Sequence, residues 1–247
     1  MVSGADGDFN GDGTADTAIF RPDTGLWAIR SITRLYFGTS VDLPVSGDYD
    51  GDGTTDIAVF RGGSGLWAVR NLTRVYLGGT GMIPVPGDYD GDGSCDPGIF
   101  HPDYGLWSVR DLTRLYYGQA DDWPLGRDFD GDGTADVGIF RDNIGLWAVR
   151  DFTRVYFGRE NDWPATADFS GDTTEAIGIW RPRAGLWAIR QDTRIYYGCC
   201  LDWPRPADYG GSGTAAIGIF REYSGLWAER DTTRIYFGGP GDIPVTR

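Results

Sequence analysis

A nine-residue segment rich in aspartate and glycine recurs along the chain, and its second copy reads DYDGDGTTD from Asp48 to Asp56. Carboxylates occupy its first, third, fifth and ninth positions, and glycines at the fourth and sixth positions allow the backbone to wrap tightly. The residue at the seventh position can add its backbone carbonyl. Oxygen donors at this density suit Ca²⁺, which accepts about six to eight of them in a flexible geometry. The spacing therefore predicts calcium loops, because a simple turn gives no reason to crowd like charges together.

The loop occurs six times, and its copies differ in how many oxygen ligands they keep. The predicted ligands of the first four loops are Asp8, Asn10, Asp12, Thr14 and Asp16; Asp48, Asp50, Asp52, Thr54 and Asp56; Asp88, Asp90, Asp92, Ser94 and Asp96; and Asp128, Asp130, Asp132, Thr134 and Asp136. The fifth loop keeps Asp168, Asp172 and, one place early, Glu175, whereas the sixth keeps only Asp208. We expect four calcium ions in the first four loops, with the weakest in the first because Asn10 is neutral. The fifth loop is left open, and we expect the sixth to be empty.

The elements that must position these loops repeat every 40 residues without insertion or deletion. A Gly-Leu-Trp motif marks the period at Trp27, Trp67, Trp107, Trp147, Trp187 and Trp227, and we expect these indoles to be buried core wedges. The repeats run over 8–47, 48–87, 88–127, 128–167, 168–207 and 208–247, and we interpret 1–247 as a single domain. Such regularity indicates that every unit occupies an equivalent environment, which a closed ring supplies.

Within one repeat, the residue types and the turn residues between segments are those of short β-strands. The segments Ile57–Phe60, Leu66–Arg70, Thr73–Gly78 and Ile83–Val85 are β-branched and aromatic, and Gly, Pro and Asp bound them. No window shows a sustained helical period. Four short antiparallel strands in about 40 residues are typical of a propeller blade. The sequence therefore predicts an all-β fold, a six-bladed β-propeller.

The two ends of the chain suggest how the ring closes. The stretch Val2–Ala5 is a poor strand, whereas the chain ends at Asp242–Val245 on a good copy of the segment that precedes the second aspartate loop, Asp42–Val45. We expect this C-terminal strand to complete the first blade and to close the ring without a covalent bond.

Composition and charge restrict the class of partner. The chain carries 36 acidic residues against 22 basic ones, which gives a net charge of −14 and a pI near 4.4. Because nucleic-acid binding needs a basic face, we expect no nucleic-acid partner and favour a cation. No apolar run is long enough to span a membrane, so we expect no membrane insertion. Met1-Val2-Ser3 lacks the basic and apolar regions of a secretory signal, so either none exists or it has been removed. We expect a monomer.

The loop and the residues after it, Gly47 to Arg61 followed by Gly65-Leu66-Trp67, resemble the bacterial FG-GAP/VCBS repeats, relatives of the integrin α-subunit propeller. Fungal propeller lectins are similar to this repeat as well. The resemblance covers all six copies. It implies a propeller whose calcium loop joins the first and second strands of each blade, an extracellular or cell-surface setting, and adhesion or glycan binding. A fold hosts many functions, so the resemblance does not choose among them.

Two repeated features offer ligand-binding groups besides the loops. The candidate ligand-binding residues are Trp123, Trp163 and Trp203, each preceded by aspartate and followed by proline. An indole beside a carboxylate is a good sugar platform. The alternative is that these indoles pack between blades, since the other copies have leucine or isoleucine there. The second feature is the arginine pair of the later strands, Arg70 and Arg74 in the second copy, which can form an anion-binding rim or pair with aspartates.

An enzyme would need a nucleophile and a base, and the sequence offers no such set. The only histidine, His101, stands where the five other copies of the repeat have arginine, as at Arg21 and Arg61, and looks like drift. A calcium-dependent hydrolase is a less favoured alternative, because the carboxylates repeat evenly around the ring. We therefore expect a calcium-stabilised, non-enzymatic binding module for a glycan or a cell-surface protein. The alternative is a symmetric scaffold, engineered or recently duplicated, without a dedicated ligand.

Overall fold

The computed structural model describes residues 7–199 and 201–246, and within them the regular structure consists of short strands and two single-turn 3₁₀ helices. The strands of the first half are β1 (Ala18–Arg21), β2 (Leu26–Ile29), β3 (Thr33–Tyr36), β4 (Asp42–Pro44), β5 (Ala58–Arg61), β6 (Leu66–Val69), β7 (Thr73–Tyr76), β8 (Ile83–Pro84), β9 (Gly98–His101), β10 (Leu106–Val109) and β11 (Thr113–Tyr116).

The second half continues the same pattern. Its strands are β12 (Trp123–Arg127), β13 (Asp136–Arg141), β14 (Leu146–Val149), β15 (Thr153–Tyr156), β16 (Trp163–Pro164), β17 (Gly178–Arg181), β18 (Leu186–Ile189), β19 (Arg194–Tyr196), β20 (Asp202–Pro204), β21 (Gly218–Arg221), β22 (Leu226–Glu229), β23 (Arg234–Tyr236) and β24 (Ile243–Pro244). The 3₁₀ helices are Asp142–Ile144 and Glu222–Ser224, each in the turn between the second and third strands of a blade.

The strands form six four-stranded antiparallel sheets, so the predicted six-bladed β-propeller is confirmed. Blade 2, for example, has the order β4-β5-β6-β7, and blades 3 to 6 follow in chain order. Each blade takes its first strand from the end of the preceding repeat, so blades are offset from the 40-residue repeats. The aspartate loop of each repeat therefore joins the first and second strands of one blade.

The core of the ring lies between neighbouring blades. Phe20 pairs with Trp27 across two strands of blade 1, and both side chains are fully buried, as expected for the Gly-Leu-Trp motif. Their rings, with centroids 5.3 Å apart, pack against Val59 and Ala68 of blade 2. Burying two large aromatic side chains at each such seam stabilises the fold by several kcal/mol, at roughly 25 cal/mol per Å² of apolar surface. The same cluster recurs at each of the other seams.

Ring closure follows the sequence prediction. The C-terminal strand pairs with the first blade, with Ile243 opposite Phe20, and completes the sheet β24-β1-β2-β3. Phe220 and Trp227 of the last blade pack against Ile19 of the first, so the seam is also closed by side chains. The stretch Val2–Ala5 lies outside the described residues.

The first strand of each blade forms the inner edge of the ring. The tryptophans on the first strands β12, β16 and β20 contact one another. Ser46, just beyond β4, donates a hydrogen bond to the carbonyl of Val245, just beyond the first strand β24 of the neighbouring blade, at 3.0 Å. The fourth strand instead forms an exposed outer edge, where Tyr36 and its copies are 68–75% exposed. The inner strands therefore surround the central channel, and the aspartate loops follow their ends on one face of the ring.

The glycine of Gly-Leu-Trp allows the close approach that places the tryptophan. Gly25 has a φ of +67°, and a methyl group there would lie 2.3 Å from the carbonyl oxygen of Gly38. Its own carbonyl accepts a hydrogen bond from the Phe37 N–H at 2.8 Å. The indole N–H of Trp27 then donates to the Phe37 carbonyl at 2.9 Å, so the buried indole is satisfied.

Candidate functional site

The first aspartate of each loop organises the backbone around it. In the second loop, the N–H groups of Gly51 and Gly53 each donate to the Asp48 carboxylate at 2.8 Å. Both glycines have positive φ, which turns these N–H groups inward. The ninth residue, Asp56, closes the loop by accepting a hydrogen bond from the Tyr49 N–H at 2.9 Å.

Three of the predicted ligands come together in each of the second, third and fourth loops. In the second loop, one carboxylate oxygen from each of Asp48, Asp50 and Asp56 lies within 4.8 Å of the others. The same positions meet in the third loop and in the fourth: Asp88, Asp90 and Asp96; Asp128, Asp130 and Asp136. Three hard anionic donors at this spacing fit a Ca²⁺ ion with room for backbone or water oxygens.

In the first four loops, the closing aspartate has the most strongly shifted pKa of the loop's carboxylates. Burial raises the pKa of Asp56 to about 6, and the charges of Asp50, Asp48 and Asp52 add to the effect against a hydrogen bond from Tyr49. The equivalent carboxyls have pKa values of about 6 for the same leading reason: Asp16, Asp96 and Asp136. Such a group is unfavourable in its charged form unless a cation lies beside it.

The sequence predicts that the carboxylate at the fifth loop position binds the ion together with the other ligands, but in the second loop this carboxylate lies apart from them. Asp52 is exposed and stands outside the carboxylate cluster. It accepts hydrogen bonds from the backbone N–H of Thr54, at 2.8 Å, and from the hydroxyl of the same residue. In this conformation the pair rigidifies the loop, and the Thr54 hydroxyl holds the pKa of Asp52 below its usual range.

The first, fifth and sixth loops do not bring three carboxylates together among the described residues. In the first loop, the amide of Asn10 donates to Asp12 at 3.0 Å. In the fifth, Glu175 lies 4.0 Å from the guanidinium of Arg127, which belongs to the preceding blade. The early carboxylate of the fifth loop is therefore used in an ion pair between blades.

The six loops are joined into one continuous ring. The N–H of Thr55 donates to the carbonyl of Asp8 in the preceding loop at 2.6 Å, and the Ala15 N–H donates to Asp208 at 2.8 Å across the non-covalent seam. The other links are Cys95 to Asp48, Ala135 to Asp88, Glu175 to Asp128 and Ala215 to Asp168. These loops hold 19 of the 36 acidic residues and no arginine, so the remaining chain has 17 acidic residues against 22 arginines. Negative charge is therefore concentrated on one face, around the channel.

Clefts open between blades on the same face. A cleft of about 360 Å³ between blades 1 and 2 is lined by apolar Phe9 and Leu35 on one side and by Asp50, Asp56 and Arg70 on the other. An equivalent cleft of about 350 Å³ lies between blades 3 and 4, and its corresponding lining residues are Tyr89, Leu115, Asp130, Asp136 and Arg150. Each cleft combines an apolar wall, a guanidinium and at least two candidate metal ligands, a mixture suited to a small polar ligand.

The three tryptophans of the Asp-Trp-Pro motif meet at the inner edge of blades 4, 5 and 6. We call Trp123, Trp163 and Trp203 the tryptophan arc. Neighbouring ring centroids are 6.4 Å apart in both contacts, and the outer two side chains are 43% and 36% exposed. The guanidinium of Arg205 lies 5.6 Å from the Trp203 ring centroid. The neighbouring carboxylates are not part of this surface, because Asp122, Asp162 and Asp202 are at most 3% exposed.

Those carboxylates take part in buried ion pairs that the sequence interpretation missed. The guanidinium of Arg61 donates two hydrogen bonds to Asp42, at 2.7 and 2.8 Å, and the Asp42 side chain is fully buried. The same pair occurs in four further blades: Arg21–Asp242, Arg141–Asp122, Arg181–Asp162 and Arg221–Asp202. The aspartate also accepts a hydrogen bond from the backbone N–H three residues earlier, which is Thr39 for Asp42. This bond fixes the linker between the fourth strand of one blade and the first strand of the next.

Blade 3 lacks this pair because both partners differ. Met82 replaces the aspartate and His101 replaces the arginine, and the His101 ring lies 4.6 Å from that of Tyr104. His101 is therefore part of a paired replacement that leaves no buried carboxylate unpaired. This joint change was the signal in the sequence from which the Arg–Asp contact could have been found.

Comparison with known proteins supports the fold and leaves the family open. No protein-family model matches the chain, and no curated protein sequence matches it. The chain is similar in structure to a lectin of Agrocybe aegerita described for specific recognition of non-reducing terminal N-acetylglucosamine, with a TM-score of 0.54 and 14% identity. That match covers 96% of this chain and 91% of the lectin.

A second solved structure has a similar fold. It is BBS1N in complex with ARL6DN, with a TM-score of 0.53 and 11% identity, over 93% of this chain and 80% of that one. At these identities the likeness concerns the fold. Within the part of the chain that the structure describes, no helix has the length and apolar character needed to cross a membrane. The comparisons thus identify the chain as structurally similar to two β-propellers, a lectin and a protein-binding propeller.

Proposed function

We propose that the chain is a calcium-stabilised, non-enzymatic binding module of the FG-GAP/VCBS type, acting outside the cell or at its surface. The observation that supports calcium is the threefold recurrence of three converging carboxylates, in which Asp56 and its copies are buried beside like charges. Bound calcium would be held by Asp48, Asp50 and Asp56 and by the equivalent residues of the other loops. Its role is electrostatic, since it neutralises the clustered carboxylates and fixes the loops between the inner strands.

The ring of hydrogen bonds between loops supports a structural role for calcium across the whole propeller. Each loop contacts the next through a backbone hydrogen bond, including the bond from Ala15 to Asp208 at the non-covalent seam. An ion that orders one loop therefore supports the position of its neighbour. Calorimetric titration of the chelator-treated chain with Ca²⁺ counts the sites directly.

For the ligand, we propose a glycan bound in the inter-blade clefts. Their recurrence at equivalent positions is the observation that favours repeated ligand sites over a single catalytic centre. In each cleft an arginine can donate to sugar hydroxyl or amide oxygens, while Leu35 or its equivalent contacts the apolar part of the ring. The structural likeness to an N-acetylglucosamine-specific lectin makes glycans that end in this sugar the first to test.

The clefts allow a matched test. Replacing Arg70 and Arg150 by alanine is expected to remove two sites from the stoichiometry measured by calorimetric titration with the glycan that binds best on an array. The control replaces Arg74 and Arg154, which lie on the exposed outer strands and line neither cleft, and should leave the stoichiometry unchanged. A full set of sites in the Arg70→Ala, Arg150→Ala variant would place the ligand elsewhere. Binding to no glycan would favour the alternative of a symmetric scaffold without a ligand.

A further inference from the structure

The inter-blade clefts differ around the ring, although their arginine recurs in all six repeats. We name each cleft by the two blades that flank it, so the two clefts described above are the 1–2 cleft and the 3–4 cleft. Arg70 of the 1–2 cleft has a counterpart in every other repeat: Arg30, Arg110, Arg150, Arg190 and Arg230. A ligand held by the arginine and the blade walls alone would therefore have six similar sites.

The aspartate loop beside each cleft restricts this number. Asp50 and Asp56 of the second loop line the 1–2 cleft, and the fourth loop lines the 3–4 cleft with Asp130 and Asp136. The third loop has the same converging carboxylates and belongs to blade 3, so it flanks the 2–3 cleft. The loops of the other three blades have a neutral third residue: Asn10, Ser170 and Gly210. Converging carboxylates thus adjoin the 1–2, 2–3 and 3–4 clefts.

A second feature, outside the loops, selects the same three clefts. The hairpin between the third and fourth strands of each blade has a tip residue, and the tips of blades 1 and 2 both line the 1–2 cleft. These tip residues are apolar and 38–51% exposed in blades 1 to 4: Ile32, Leu72, Leu112 and Phe152. In blades 5 and 6 the tips are Asp192 and Thr232. Both flanking tips are therefore apolar in the three clefts that adjoin converging carboxylates and in no other, and exposed apolar side chains beside a cavity are typical of a binding site.

The carboxylates of these loops leave part of the coordination of an ion to other groups. Three converging oxygens supply three of the roughly six to eight that Ca²⁺ accepts. The fifth-position carboxylate, Asp52, is instead hydrogen-bonded to Thr54. Because Asp50 and Asp56 line the 1–2 cleft, an ion held by them lies at the wall of the cleft, within reach of a ligand there.

The charges of the two clefts favour neutral oxygen donors over an anion. With one dication bound, the two carboxylates and one guanidinium that line the 1–2 cleft leave one net positive charge. The 3–4 cleft has four lining carboxylates, since Asp132 and Asp151 add to the two metal ligands, and it is left with one net negative charge. A ligand that fits both clefts therefore gains little from a charge of its own. Two adjacent hydroxyls of a sugar ring offer neutral oxygens to an ion and leave the apolar face of the ring for a wall such as Leu35.

We propose that the 1–2, 2–3 and 3–4 clefts bind a sugar through the calcium ion of the adjoining loop, with two adjacent ring hydroxyls as ligands of the ion. The apolar tips contact the sugar ring, and the arginine donates hydrogen bonds to its remaining oxygens. The inference rests on the proposed calcium binding and glycan binding. It adds that the ion takes part in recognition, and that the sites number three rather than six.

The test is calorimetric titration of the Ca²⁺-loaded chain with the methyl glycoside of N-acetylglucosamine and with its 4-deoxy analogue. The first sugar has adjacent hydroxyls on carbons 3 and 4, and the analogue lacks one of this pair but keeps the acetamide and the apolar ring face. We expect three sites for the first sugar and binding of the analogue that is weaker by about tenfold or more, because one ligand of the ion is lost.

Substitutions that copy the fifth loop test each cleft separately. Asp50→Ser, Asp90→Ser and Asp130→Ser each introduce the residue that the fifth loop has at this position. Each is expected to lower the number of sugar sites from three to two, while the remaining sites keep their affinity. Asp172→Ser makes the same replacement in the fifth loop itself and is the matched control, with three sites expected. Thermal unfolding reports whether each variant retains the fold.

Terbium luminescence reports on the ion itself. Tb³⁺ is a hard cation that replaces Ca²⁺ at oxygen sites, and its luminescence lifetime in H₂O lengthens when another ligand displaces bound water. Addition of the methyl glycoside is expected to lengthen the lifetime, and the 4-deoxy analogue is expected to have a smaller effect. A calcium ion with a purely structural role would give no change with either sugar.

The outcomes separate this inference from the proposed function. Six equivalent sites, three sites retained by the folded Asp50→Ser variant, or a terbium lifetime unchanged at saturation would each overturn the inference, while the bound sugar would still support the proposed glycan binding. Failure of the methyl glycoside to bind would also overturn it, and the glycan array then decides whether the proposed function stands.

Discussion

Replacing Asp162 by methionine alone is expected to lower the free energy of unfolding by about 3–5 kcal/mol, the loss typical of breaking a buried ion pair. The Asp162 side chain is fully buried and accepts two hydrogen bonds from Arg181, both at 2.7 Å. Without it, Arg181 keeps a partly buried charge without its partner, and the Arg159 N–H loses its acceptor. Chemical denaturation at neutral pH measures the change.

The double variant Asp162→Met, Arg181→His is expected to lose much less, within about 2 kcal/mol of the original chain, because removing both partners leaves no unpaired buried charge. Blade 3 already carries this combination at Met82 and His101. The control is Asp151→Asn, which breaks an exposed pair with Arg150 and is expected to cost less than about 1 kcal/mol. If the double variant instead loses more stability than Asp162→Met alone, the account of the two side chains as one buried pair is contradicted.

Replacing Glu229 by glutamine is expected to stabilise the ring by about 3 kcal/mol at pH 8, by linkage of a pKa shift to folding. Glu229 is 6% exposed and stands where the other blades have valine or isoleucine, at the seam between the last blade and the first. Burial raises the pKa of this carboxyl to about 7 from an ordinary value of 4.5. The seam that closes the ring non-covalently therefore contains a charge that folding disfavours.

The sign of the pH dependence follows from the raised pKa. Between about pH 4.5 and pH 7 the folded chain keeps the Glu229 proton while the unfolded chain has lost it, so stability falls as pH rises through this range. The difference in stability between the glutamine variant and the original chain should be small near pH 4.5 and reach its full value above pH 7. Glu160→Gln removes the same charge at an exposed position and is the control. A difference that does not change with pH would contradict this account.

The fold could be predicted from the sequence because every level of the pattern agreed. Three signals required the same closed ring: the 40-residue period of Trp27 and its copies, the turn residues that bound each short strand, and the strand-like C-terminal segment at Asp242–Val245. The aspartate loops were equally readable, since Asp48, Asp50 and Asp56 are close in sequence and need only a local turn to meet.

What the sequence interpretation missed depends on contacts between distant residues. Asp42 and Arg61 are 19 residues apart and meet only because two strands pair in register. Trp123 directly follows an aspartate in the sequence, yet strand alternation directs the two side chains to opposite faces. The inter-blade clefts and the buried Glu229 likewise arise from packing of neighbouring blades, which no single repeat contains.

The most direct test of a calcium-stabilised ring is calorimetric titration combined with thermal unfolding in millimolar Ca²⁺ and in excess chelator. We expect four ions per chain, the weakest in the first loop, and a large fall in the melting temperature on chelation. By mass action each occupied site adds about 2.7 kcal/mol when free Ca²⁺ is 100-fold above its dissociation constant. Absence of bound Ca²⁺, or a melting temperature unchanged by chelation, would contradict the account and leave the aspartate loops as hydrogen-bonded turns.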